Sequence, residues 1–220
     1  AAGCSSVGGL GVLGLAALLL LRRRRTPAAL LTLALLVVPV AAQAQYQVVG
    51  PAPAAYQPLT NGTVSTPGAP ISLPFSMPFF DTQFTSAVMS QYGYLAIGGA
   101  PFSYPTNQIV PHSNTSTSIP RVYLAPWWDA LTQPLTYRHQ VLGTAPNRVM
   151  VFEWDGAGAN LISSRVSFQV RLFEGSGQIR FMYGAALPGT VSASIGLQKD
   201  LGIGIPGLPC SSSASCNAST

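Results

Sequence analysis

The sequence predicts an all-β fold: a two-layer antiparallel β-sandwich of jelly-roll type, with about nine to eleven strands, behind a hydrophobic, helical N-terminal leader. Three observations carry this expectation. Apolar segments of about four to ten residues recur between clusters of Gly, Pro, Asn and Ser, the pattern of strands joined by turns. Only 8% of the residues are charged, while 22 are Gly and 19 are Pro, a composition that interrupts helices. The stretch Arg165–Phe173 alternates strictly, with Val166, Phe168, Val170 and Leu172 on one face and Arg165, Ser167, Gln169 and Arg171 on the other.

The leader comes first. From Thr26 the chain reads TPAALLTLALLVVPVAAQAQ, an apolar run preceded by Arg22 to Arg25 and closed by Ala42 and Ala44 around Gln43. This is the order of a secretory signal peptide, with cleavage expected between Ala44 and Gln45. Pro39 and the small residues favour cleavage over a retained membrane anchor. Cys4 precedes its apolar stretch rather than following it, which argues against lipidation. The chain has no Met before Met77, and a start at an alternative codon near Leu20 or Leu21 would leave LRRRR as an ordinary n-region.

The body is divided by its turns. After a Pro- and Ala-rich lead-in from Gln47 to Pro58, expected to be mobile, strands are predicted at Ile71–Phe75, Phe84–Ser90, Tyr92–Ile97 and Arg121–Ala125. Further strands are predicted at Leu135–Gln140, Arg148–Trp154, Arg165–Phe173, Gln178–Tyr183 and Val191–Gln198. In Arg165–Phe173 the polar face is expected to be wet. The run Val149–Phe152 is apolar on both faces and marks a central strand covered on each side. Glu174 to Gly177 supplies a hairpin turn, after which Ile179, Phe181 and Tyr183 point inward.

The formal charge of +5 arises in the leader. Past residue 45 there are seven basic and six acidic side chains, a balance of +1, with no basic cluster to displace counterions from a phosphate backbone. Nucleic acid is therefore not an expected partner, and membrane contact is expected only through the N-terminal hydrophobic segments. Cys210 and Cys216 are a candidate disulfide in an oxidising compartment, the alternative being partners beyond Thr220.

Enzyme chemistry finds little to build on. His112 lies in a Pro/Ser/Thr/Asn loop and His139 near a strand end, as a solvated strand histidine; no nucleophile elbow or zinc-binding helix motif accompanies them. Asp129, Glu153 and Asp155 are the carboxylates available for two-carboxylate chemistry. Glu153 and Asp155 share a strand face about 7 Å apart if the strand stays regular, and the ordinary explanation is a charged strand end entering the loop 156–160. Asp155 and Asn160 lack an EF-hand ligand pattern. No catalytic residue, metal or cofactor is expected.

The segment Arg121-Val-Tyr-Leu-Ala-Pro-Trp-Trp-Asp129 is more informative. Alternation puts Val122, Leu124 and Trp128 on one side, and Arg121, Tyr123 and Trp127 on the other. One tryptophan should pack inside. An exposed Trp127 beside Tyr123 and Asp129 would form an aromatic platform suited to sugar rings. A covering sheet or loop would instead bury both, and Pro126 can break the alternation.

Five pieces carry a family resemblance: LPFSMPFF (73–80), FTSAVMSQYGYLAIG (84–98), LAPWWDAL (124–131), GTAPNRVMVFEW (143–154) and FQVRLFEGSGQIRFMYG (168–184). In order and spacing they resemble secreted β-sandwich modules of large myxobacterial and other bacterial surface proteins, and more distantly the nidogen-type extracellular module. The resemblance implies location and fold, with no assigned activity. Ala130 departs from it, standing where relatives often carry a second acidic residue, which argues against a paired-carboxylate metal site. Upstream, Cys4, the apolar run Val7–Leu21 and Arg22–Arg25 resemble a myxobacterial C-terminal sorting tail, here at the beginning of the chain.

The expected organisation is therefore a sorting-tail-like segment (1–25), a signal peptide (22–44), a Pro/Ala-rich lead-in (45–69), the sandwich (70–200) and a Gly/Ser-rich linker or start of a further domain (201–220). The expected function is a non-catalytic secreted or cell-surface module with a structural, adhesive or interaction role. Its partners are expected to be surface polysaccharide or other cell-surface proteins. The alternatives are a carbohydrate-binding accessory module using Tyr123, Trp127 and Asp129, and a fragment of an extracellular hydrolase.

Overall fold

A computed structural model describes residue 46 and residues 55–98, 104–132, 135–159, 165–184 and 193–206. The leader, the Ala44–Gln45 cleavage site and the Cys210/Cys216 pair lie outside the described residues. Twelve strands run through the described chain: β1 (Thr63–Val64), β2 (Pro70–Phe79), β3 (Thr82–Met89), β4 (Leu95–Ile97), β5 (Tyr123–Trp128) and β6 (Leu131–Thr132). They continue with β7 (Thr136–Leu142), β8 (Val149–Ala159), β9 (Arg165–Phe173), β10 (Ile179–Tyr183), β11 (Ser194–Asp200) and β12 (Ile203–Pro206). None of the described residues is helical.

The strands form two antiparallel sheets. In the first the order is β1-β7-β8-β9-β10, with β6 also pairing β8; in the second it is β12-β11-β5-β4-β3-β2. The all-β, two-sheet expectation holds. The jelly-roll ordering does not, because most neighbours are successive hairpins, β7 to β10 in one sheet and β2 to β5 in the other, rather than paired Greek keys.

The sheets meet through alternate residues. Ile71, Leu73, Phe75, Met77 and Phe79 of β2 pack with Met150, Phe152 and Trp154 of β8 and with Val166, Phe168, Val170 and Leu172 of β9 in one buried cluster. Burial of this apolar surface is the main force holding the layers together. A second cluster lies on the other face of the second sheet, where Val88, Tyr94, Ala96, Tyr123, Ala125 and Trp128 pack with Val110 and Ile119 of the long β4–β5 connection.

Two bulges re-aim side chains. In β5, Ala125 pairs Gly196 and Trp128 pairs Ser194, so three steps on β5 oppose two on β11. Pro126 sits inside this irregularity, where its missing N–H costs no regular ladder bond. The extra residue inverts the expected phase: Trp127 joins Leu124 in the inter-sheet core, and Trp128 joins Tyr123 on the opposite face. In β8, Trp154 pairs Phe168 and Ala157 pairs Val166, a second bulge centred on Asp155-Gly156. Gly156 has φ 75°, a left-handed conformation that glycine adopts without a Cβ clash.

The lead-in segment is part of the fold from residue 55 onward. Leu59 is buried, and β1 pairs β7 with Thr63 opposite His139. The polar face of β9 is correspondingly only partly wet: Arg165 is exposed, but Gln169 is fully buried beneath this segment, donating from Nε2 to the Gln57 carbonyl at 2.7 Å.

Candidate functional site

A buried polar cluster is built on the first sheet, on the face turned away from the core. Register places Arg138 opposite Glu153 and Glu153 opposite Gln169, so three polar side chains form a row across β7, β8 and β9. Glu153 is fully buried. Its Oε1 accepts from the Tyr56 hydroxyl at 2.7 Å, from Gln169 Nε2 at 2.8 Å and from the Leu59 amide at 3.1 Å. Its Oε2 accepts from the same amide at 3.1 Å and faces Arg138 Nη1 at 3.9 Å.

Asp155 lies further along the same face, as expected, and is likewise engaged. Arg138 Nη1 donates to its Oδ2 at 3.2 Å and the Ser167 hydroxyl to its Oδ1 at 2.7 Å, while the Gly156 amide donates to Ser167 Oγ at 3.0 Å. The bulge at Asp155-Gly156 makes this three-way contact possible. The charged-strand-end expectation is corrected, because β8 continues to Ala159 and Glu153 sits in its middle.

A buried carboxylate is tolerated only when its lone pairs are satisfied. Three donors accomplish this for Glu153, with Arg138 Nη1 nearby at 3.9 Å, and two of them, Tyr56 and Leu59, come from the segment before β1. Burial, and then the adjacent Glu153 carboxylate, drive the Tyr56 phenol far above its ordinary range, so it stays a donor at any physiological pH. The arrangement works as a latch.

The aromatic candidates sit elsewhere. Trp127 and Tyr123 are both 0% exposed and Asp129 is 8% exposed, so the exposed platform considered for sugar stacking is not present at these positions. Trp127 packs between Phe168 and Tyr183, with ring centroids at 6.5 and 6.3 Å. Its indole nitrogen has no hydrogen-bond partner among the described residues. Tyr123 packs edge-on to Trp128 at 5.2 Å, and Asp129 Oδ1 accepts from the Ala130 amide at 2.8 Å. The bulge at Pro126 and the β4–β5 connection cause this burial together: one turns Trp127 inward, the other covers Trp128.

The histidines are half-buried or buried and serve local structure. Ser65 Oγ lies 2.7 Å from His139 Nδ1, tying the end of β1 to β7. His112 stacks on Tyr123 at 5.8 Å, its amide donates to Gln198 Oε1 at 2.7 Å, and its Nε2 lies 3.1 Å from the Pro120 carbonyl. The carbonyl can only accept, so Nε2 carries the hydrogen and Nδ1 is left as an acceptor without a partner. Burial pulls the pKa of both imidazoles down. Among the described residues no three His, Cys, Asp or Glu side chains are placed to hold a metal ion.

Comparison with curated proteins finds no match, and comparison with solved structures finds none. Residues 40–220, more than half of the chain, match the family described as NIDO related. The match supports the nidogen-like resemblance and suggests a non-enzymatic extracellular module. With its two antiparallel sheets and its latched N-terminal segment, the chain belongs to the NIDO-related family.

Proposed function

We propose that this chain is exported and displayed at a bacterial cell surface, where it acts by contact rather than catalysis as a structural or adhesive module. The observation that carries the reading is the use made of Glu153. The most deeply buried carboxylate of the fold is fully buried and spends its hydrogen bonds fastening the N-terminal segment to the sheet. Family membership supports the extracellular setting. The apolar run before Gln45 supplies the export signal in this reading, and the partners are surface polysaccharide or other surface proteins.

The test is expression of the full chain, tagged at its C-terminus, in a Gram-negative host. Protease treatment of intact cells should remove the tag, and intact-mass analysis should find a product beginning at Gln45. A chain retained in the cytoplasm with its leader attached would overturn the reading.

A further inference from the structure

The chain contains six acidic residues, and all six lie among the described residues. Glu153 and Asp155 face Arg138, Glu174 pairs with Arg148 and Asp81 with Lys199. Asp129 is buried against the Ala130 amide, and Asp200 Oδ1 accepts from the Leu201 amide. None forms an ion pair with Arg171 or Arg180.

Those two arginines are direct cross-strand partners, Arg171 on β9 and Arg180 on β10, on the face of the first sheet turned away from the core. Directly opposed side chains in an antiparallel pair have Cβ atoms about 4.5–5.5 Å apart, and like charges there are destabilising. Each guanidinium is held by a neutral group instead. Arg171 donates from Nε and Nη2 to Gln169 Oε1 at 2.9 and 2.7 Å, and feels the Glu153 carboxylate only through space, without an ion pair. Arg180 lies over the Phe173 ring at 5.1 Å and reaches Gln178 Oε1 only at 3.4 Å. The remaining N–H groups, among them Nη1 of both arginines, have no acceptor among the described residues.

Two adjacent guanidinium forks, oriented by an amide and an aromatic ring and lacking a carboxylate of their own, match an oxyanion group. We propose that Arg171 and Arg180 form an anion-binding subsite for the carboxylates of an acidic polysaccharide. The choice of partner follows from the surface. The subsite is a strand face flanked by the exposed Gln178, offering planar hydrogen-bonding groups to the hydroxyls and carboxylates of a sugar chain. The proposal rests on the surface-module reading only for where such a polymer would be met.

The experiment uses the full chain purified in mild detergent and immobilised, with polygalacturonate as the probe, neutral dextran as the uncharged control and poly-glutamate as the acidic peptide. Wild type should bind polygalacturonate, more weakly as salt rises, and should not bind dextran. Arg180→Gln should weaken binding about tenfold or more with a melting temperature no lower than that of wild type, and Arg180→Lys should restore only part of it, since an ammonium cannot present the fork. Equal binding by wild type and Arg180→Gln, or no binding by wild type, would overturn the proposal. Poly-glutamate bound as tightly as polygalacturonate would overturn the choice of a polysaccharide. Any of these failures leaves the protease-accessibility result untouched, so the subsite and the surface reading fail separately.

Discussion

The Tyr56 hydroxyl donates to Glu153 Oε1 at 2.7 Å, joining two residues 97 positions apart. Removing either partner has unequal consequences. Glu153→Ala leaves a phenol, a backbone amide and a glutamine amide buried without their acceptor, and is expected to destabilise by about 3–5 kcal/mol. Tyr56→Phe leaves the Leu59 amide and Gln169 Nε2 on the carboxylate and is expected to lose about 1.5–3 kcal/mol. Urea unfolding of the two variants checks the order; a Tyr56→Phe cost equal to that of Glu153→Ala would contradict the latch.

Glu174 gives the acid limb of stability. Three bonds from Arg148, including the side-chain pair at 2.8 and 2.6 Å, lower its pKa from an ordinary 4.5 to about 2. A carboxylate depressed in the folded state adds stability above its unfolded pKa, and this is lost as pH falls through the folded value. Glu174→Gln should therefore lower the melting temperature at neutral pH and narrow the difference from wild type between pH 4.5 and 2. A constant difference across that window would contradict the assignment.

His112 and His139 act in the same direction at higher pH. Burial lowers both from an ordinary 6.5, so the unfolded chain binds protons first as pH falls. Their contribution is fully present above 6.5 and declines below it. Thermal unfolding between about pH 8 and pH 5 should show this decline, with a shallower slope in His112→Gln. A slope identical to wild type would show that His112 does not carry the effect.

The two core tryptophans should respond differently to loss of the indole. Trp154 Nε1 donates to the Ser90 carbonyl at 2.8 Å, whereas Trp127 Nε1 has no partner among the described residues. Both substitutions by Phe lose volume, but only Trp154→Phe also removes a buried hydrogen bond, leaving the Ser90 carbonyl with the Gly93 amide at 3.4 Å alone. Trp154→Phe is expected to cost about 0.5–1.5 kcal/mol more than Trp127→Phe, measured by chemical denaturation. The reverse order would mean that ring volume alone governs both sites.

Which elements could be read from the sequence follows from how local their causes are. The span of β9 was legible to the residue because period-two alternation is a property of consecutive side chains. Burial on both faces of Val149–Phe152 was legible for the same reason, and Met150, Val151 and Phe152 are all buried. Two-residue strands such as β1 and β6 hold too few side chains to show a period. The phase of Trp127 and Trp128 depended on a bulge that Pro126 permits but does not specify. Glu153 looked like a solvated strand end because its donors, Tyr56 and Leu59, lie in a Pro-rich segment whose docking is a long-range event.

That docking also orders the assembly of the molecule in time. A chain made from its N-terminus presents Tyr56 and Leu59 well before Glu153, which lies 94 residues beyond Leu59. Until then the segment has no carboxylate to bind, and the outer layer of the first sheet cannot close. A chain ending before β9 would lack Gln169 as well, leaving Glu153 with one donor fewer. The latch is thus a late checkpoint, read only after most of both sheets exists, and nascent-chain proteolysis should find residues 55–64 protected last although they are made first.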